Sequence, residues 1–205
     1  MPASSAEGRA TPGPPQPAVS TPWGSLGRGQ VAELAAPGVV IGLLSGAIAG
    51  GISLAGGLGV DVAVISGVAL GIPLALAGAG YEILLAQGRV ALSMLTPVAL
   101  YWALAFPLGR VLEAAVVDLY AGSAVAVPHG WLDYVVYQAL VSVGFGIGYW
   151  WLHENFAPRW WFHIREHNPV ADHFVRAKLQ YAEAAEAERE SRRKRQEAKR
   201  AERRR

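Results

Sequence analysis

Apolar residues run along this chain in long uncharged blocks, not in the short alternations of a water-soluble fold. Residues 35–60 contain no charge, and after Asp61 a second uncharged block covers residues 62–81. About 20 residues are enough for a helix to cross a hydrocarbon core ~30 Å thick. A single straight helix through both blocks would reach ~70 Å, so the chain has to turn between them. Gly56, Gly57 and Gly59 beside Asp61 mark that turn, because glycine admits the positive φ of a tight reversal. The pattern predicts a helical hairpin with spans at residues 37–56 and 61–85 and a bend at Pro73.

A third block lies between Arg89 and Arg110, which predicts a span at residues 90–109 kinked by Pro97 and Pro107. The segment that follows is apolar but carries Glu113 and Asp118. With Arg110 these acids suit a wet face, either of an extended helix or of one lying in the interface. Pro128-His129-Gly130 signals a turn. The fourth span, residues 131–152, opens with Trp131 and closes with Trp150 and Trp151. Their separation matches the bilayer core, and tryptophan favours the headgroup level at both faces.

The flanks differ in kind. Residues 1–36 are rich in Pro, Gly, Ser and Ala and have too little apolar surface to offset ordering entropy, so a flexible, retained arm is expected, with a short helical start near its end. Residues 153–168 are dense in rings and charges, including Arg159, Trp160, Trp161 and Arg165, and predict an interfacial collar on the headgroups. Residues 169–205 begin with a cap and first-turn proline, Asn168-Pro169, followed by Val170, Phe174, Val175 and Leu179 at helical spacing. From Glu183 onward no large apolar residue remains, which predicts a solvated cytoplasmic helix that frays into disorder.

Charge fixes the class and the expected orientation. Hydrophobic residues make up 52% of the chain and charged ones 17%, and residues 35–158 carry only eight charges. From Arg159 to the end there are fourteen basic and eight acidic residues. The expected fold class is therefore all-α: a polytopic membrane protein with four transmembrane helices, an interfacial segment and a charged cytoplasmic helix. Arg9, Arg28, Arg89 and the basic tail fall on one side of a four-span chain, whereas Asp61 and the Glu113/Asp118 segment fall on the other. The positive-inside rule then places both termini in the cytoplasm of a multi-pass cell-membrane protein.

The packing signal is the spacing of small residues. Gly42, Gly46 and Gly50 line one face of the first span, and Gly67 and Gly71 one face of the second; Gly144 and Gly148 add a pair in the fourth. Such rows let backbones approach where lipid supplies no hydrophobic drive. Packing within or between subunits is expected, with a pore-forming glycine zipper as the alternative. Glu82 and Asp133 are the carboxylates nearest the membrane, and an acid at that depth is a functional candidate through the cost of burying its charge. A proton-carrying rotor hairpin would hold its acid in mid-span; this hairpin holds Asp61 at its turn.

Chemistry beyond that is sparse. The chain has no cysteine, which excludes disulfides, thiol nucleophiles and Cys-bound metal. His163, Glu166 and His167 match the inverted zinc-protease spacing, but such a site takes another ligand from well downstream and only the charged tail follows, so no metal is assigned. No phosphate-binding loop or nucleophile elbow is present, and neither enzyme activity nor a cofactor is expected. The basic tail is expected to meet anionic lipid headgroups; without aromatics to stack on bases, specific nucleic-acid binding is not expected. The functional expectation is a non-catalytic structural or accessory subunit of a membrane complex that associates with other membrane subunits or with itself. The alternatives are a holin-like pore and a small transporter that uses intramembrane carboxylates.

Overall fold

The computed structural model describes residues 26–125 and 130–203. They form five helices: α1 (Arg28–Ala55), α2 (Val60–Ala86), α3 (Leu95–Tyr120), α4 (Trp131–Ile164) and α5 (Pro169–Glu202). The first four are long and apolar enough to cross a membrane, and the chain is an all-α polytopic membrane protein. Their outer faces show what the solvent is. Leu100, Leu104, Leu108 and Leu112 make one exposed row on α3, and Val64, Val68, Ile72 and Leu76 another on α2. Rows of that kind are an aggregation hazard in water and an ordinary surface in lipid.

The hairpin turns where glycine permits it. α1 ends at Gly56 and the chain reverses through Gly57, whose φ is +88°. The Gly57 amide donates to the Leu54 carbonyl and the Leu58 amide to the Ser53 carbonyl, which satisfies two of the last carbonyls of the helix. The same pair of bonds closes α2 at Gly88 and α3 at Gly122.

α1 and α2 then lie against each other along their length. A Cβ on Gly42 would stand 2.3 Å from the Ala75 nitrogen, and one on Gly46 would stand 2.4 Å from the Gly71 Cα. Gly50 meets Ala63 and Gly67. The seam continues past the predicted glycines to Gly38 and Gly78. α3 adds itself beside α2, and α4 beside α3; Gly146, not Gly144 or Gly148, is the α4 glycine that meets a neighbour, at Ala99 and Trp102. Among the described residues nothing lies within 4 Å of a Cβ on Gly144 or Gly148, so these two line no helix contact within the chain. α4 returns to touch α1 and closes the bundle.

Three predicted boundaries are corrected. The arm assigned to residues 1–36 gives way to helix at Arg28, with Pro37 inside α1; residues 1–25 lie outside the described residues. Pro37 lacks an amide, so the Glu33 carbonyl four residues back loses its helical donor. Trp160 Nε1 donates to that carbonyl at 2.7 Å, which explains why the helix can run through the proline. The third span runs over Leu95–Tyr120 and not over residues 90–109. Pro97 falls in the first turn, where an amide would be unpaired in any case, so it starts the helix instead of kinking it. The helix continues past Arg110 because the charge of Glu113 is met inside the bundle. Finally, the collar at residues 153–168 is not a separate segment, because α4 continues through it to Ile164. α4 is one helix of 34 residues, ~51 Å long, and its extension buries His153, Ala157, Trp161 and Ile164 along one stripe. The Pro128-His129 part of the predicted turn lies outside the described residues.

α5 is joined to α4 by a short elbow. Asn168 caps it, its side-chain oxygen accepting from the Ala171 amide at 3.3 Å, and Pro169 occupies the first turn. Val170, Ala171, Phe174, Val175 and Ala177 are buried against the bundle, whereas Leu179 is exposed. Beyond it the helix continues, with Arg192–Glu188 and Lys194–Glu190 ion pairs on its surface.

Candidate functional site

Two polar clusters lie inside the bundle, one toward each end. The first is held by α2, α3 and α4 where α5 docks. Glu82 lies one turn before the end of α2 and is 1% exposed; His153 lies on the buried stripe of α4 and is 3% exposed. Glu82 Oε1 and His153 Nε2 are 2.8 Å apart. An isolated carboxylate buried this way carries a penalty of several kcal/mol, which is why a partner within hydrogen-bond reach is required.

Rings enclose the pair. His153 stacks on Tyr149 at 5.9 Å and meets the edges of Tyr81 and Trp161, both at 5.6 Å. Tyr149 in turn contacts Tyr81 at 5.5 Å and Trp102 at 4.6 Å. Tyr81, Trp102, Tyr149 and Trp161 are almost wholly buried. Four polar atoms in this assembly, Glu82 Oε2, Tyr149 Oη, Trp102 Nε1 and Trp161 Nε1, are buried with no hydrogen-bond partner among the described residues. Most buried polar atoms are partnered in folded proteins.

The rim of this cluster faces α5. His153 Nδ1 lies 4.0 Å from Glu154 Oε1, and Glu154 is ion-paired with Lys178 of α5. Lys178 Nζ also donates to Ser93 Oγ at 2.7 Å, in a loop where Ser93 holds φ at +65°. Trp161 touches Phe174 of α5 at 4.7 Å. Nearby, the start of α1 is tied to the α4–α5 elbow. Gln30 Nε2 donates to the His167 carbonyl at 2.6 Å, Asn168 Nδ2 donates to the Gln30 carbonyl at 2.9 Å, and His167 Nε2 is 3.1 Å from Glu33.

The second cluster lies between α2 and α3. Ser66 donates to Glu113, Arg110 is ion-paired with the same carboxylate, and Tyr134 donates to the Arg110 carbonyl at 3.1 Å. Tyr120 donates to Asp61 at 2.9 Å closer to the surface. Arg110 and Gln138 also line a cavity of about 400 Å³ between α1 and α4.

Comparison with known protein families, curated proteins and solved structures finds no match to this chain.

The structure separates the residues singled out by sequence. Glu82 is inside the bundle; Asp133 is exposed in the first turn of α4, where an acid suits the helix dipole. Trp131, at the start of α4, and Trp151, within it, are both exposed. Trp150 and Trp160 are half-buried, and Trp161 is fully buried against the bundle. Arg159 is exposed, and the guanidinium of Arg165 stacks over Phe162 at 4.1 Å. Gly42, Gly46, Gly50, Gly67 and Gly71 meet across the α1–α2 seam. Among the described residues no group of three or more His, Asp or Glu is placed to hold a metal ion. Sequence reasoning missed His153 as the partner of Glu82. The signal was its four-residue spacing from Tyr149 and Ala157, which puts it on the inner face once α4 is read as continuous.

Proposed function

We propose that this chain is a non-catalytic structural or accessory subunit of a cell-membrane complex, with both termini in the cytoplasm. In this reading α5 is the element that meets anionic headgroups and partner subunits. The observation that carries it is the division of α5 into two parts. Its base is buried on the bundle as far as Ala177, and its remainder is exposed and strongly charged. A helix anchored at one end and solvated along the rest is built to present charge to something outside the bundle. The orientation rests on Arg89, Arg28 and the basic tail sharing one end, with Asp61 and Asp118 at the other.

Co-purification of the full chain in mild detergent, with mass spectrometry of what accompanies it, tests this reading. A stoichiometric membrane partner lost on truncation after Tyr181 is the expected result. Reporter fusions at the two termini are expected to report the same compartment. A chain that purifies alone, with or without the α5 shaft, or termini in opposite compartments, would overturn the proposal. Rapid loss of membrane potential on induced expression would favour a pore instead.

A further inference from the structure

We propose that Glu82 and His153 form a proton-binding site within the membrane domain, a role independent of the one proposed for α5. The first argument is the pair itself. At 2.8 Å, with both side chains withdrawn from solvent, one proton shared between them leaves the pair neutral, whether as carboxylate with imidazolium or as carboxylic acid with imidazole. Loss of that proton leaves one uncompensated negative charge at Glu82, and gain of another leaves one positive charge at His153. Intramembrane ionisable pairs of this kind mark proton and ion pathways.

The second argument is chemical: the ring assembly around the pair holds unpartnered polar atoms of both kinds. Glu82 Oε2 offers an acceptor, while Tyr149 Oη, Trp102 Nε1 and Trp161 Nε1 offer donors. The indole N–H groups present positive hydrogen to whatever lies beside them and so oppose a metal cation. An anion would meet the Glu82 carboxylate. Water satisfies both sides, because it accepts from hydroxyl and indole donors and donates to the carboxylate.

The third argument is access. The titratable groups that face the pair are Tyr81 on α2, Tyr101 on α3 through its contact with Tyr81, Tyr149 and Glu154 on α4, and Lys178 on α5 through its ion pair with Glu154. Of these, Glu154 and Lys178 are each about one-fifth exposed, and Glu154 is 4.0 Å from His153 Nδ1. Glu154 thus stands between the solvent on the α5 side and His153, and a proton taken up by the pair is shared between His153 Nε2 and Glu82 Oε1. No other group changes its covalent bonds.

The test is pH-difference infrared spectroscopy on the full chain in lipid vesicles between about pH 5 and about pH 9, the window in which histidine changes charge. The expected result is a pH-dependent carboxyl or imidazole band that shifts in D2O and disappears in both Glu82→Gln and His153→Gln. Wild-type spectra from which neither substitution removes a pH-dependent band overturn the proposal. Should either variant fail to fold, solid-state NMR of wild-type protein with labelled histidine decides it. The imidazole with tyrosine-ring neighbours is His153. A change in its charge or tautomer across the window supports the site, and an invariant signal overturns it.

Discussion

Gly38 of α1 and Gly78 of α2 meet backbone to backbone: a Cβ on Gly38 would lie 2.3 Å from the Gly78 carbonyl oxygen, and one on Gly78 would lie 2.2 Å from that of Gly38. The atoms in the way are main chain and cannot rotate aside. Gly38→Ala and Gly78→Ala are therefore expected to force the helices apart and to destabilise the bundle by about 1–3 kcal/mol. Gly144→Ala and Gly148→Ala, which meet open space, are expected to leave it unchanged. Thermal unfolding in detergent distinguishes the two pairs; equal behaviour would count against the seam.

Trp160 and Pro37 are expected to be thermodynamically coupled. Trp160→Phe removes the donor to the Glu33 carbonyl and should cost about 1 kcal/mol. In a Pro37→Ala background the restored amide can serve that carbonyl, so the same change should cost less. A double-mutant cycle measures the difference. Additive effects would mean that the indole is not compensating for the proline.

The base of α5 is held by its cap and by Lys178. Asn168→Ala is expected to weaken docking by about 1 kcal/mol, and Lys178→Met to release both Glu154 and Ser93. Each should raise the rate at which added protease cuts between residues 169 and 181, with the span helices still protected. Unchanged cleavage in both variants would show that apolar burial of Val170 and Phe174 alone holds the helix.

Substitution of Ser66 by Ala leaves one oxygen of Glu113 with one donor fewer, in a cluster where Glu113 is only 6% exposed. The expected loss is about 1–3 kcal/mol. Asp133→Asn at the exposed start of α4 should be nearly silent. Chemical unfolding of the two variants side by side checks the contrast.

The spans were legible because lipid imposes a simple rule: a long uncharged run has to bury its backbone as a helix. Their ends were less so, since a helix in contact with protein continues past the point where apolar sequence stops. α4 runs through Glu154 and Arg159 because its inner stripe still faces α2 and α5, and α3 runs through Glu113 because Arg110 and Ser66 receive it. The glycine row of α1 was readable from its spacing. The glycines of α4 were not, because Gly144, Gly146 and Gly148 look alike in sequence and only the neighbouring helix selects Gly146. Glu82 stood out by its depth, but a pairing to His153, 71 residues away, is a product of tertiary packing.

α5 is 34 residues long, ~51 Å, yet only its first turns are fastened, through Asn168, Phe174 and Lys178. Mechanically it is a lever with its fulcrum at the elbow. A tilt of a few degrees at Asn168 sweeps the far tip through several ångströms, so a small rearrangement among Trp161, Glu154 and Lys178 would be broadcast as a large displacement of charge at the arginine-rich end.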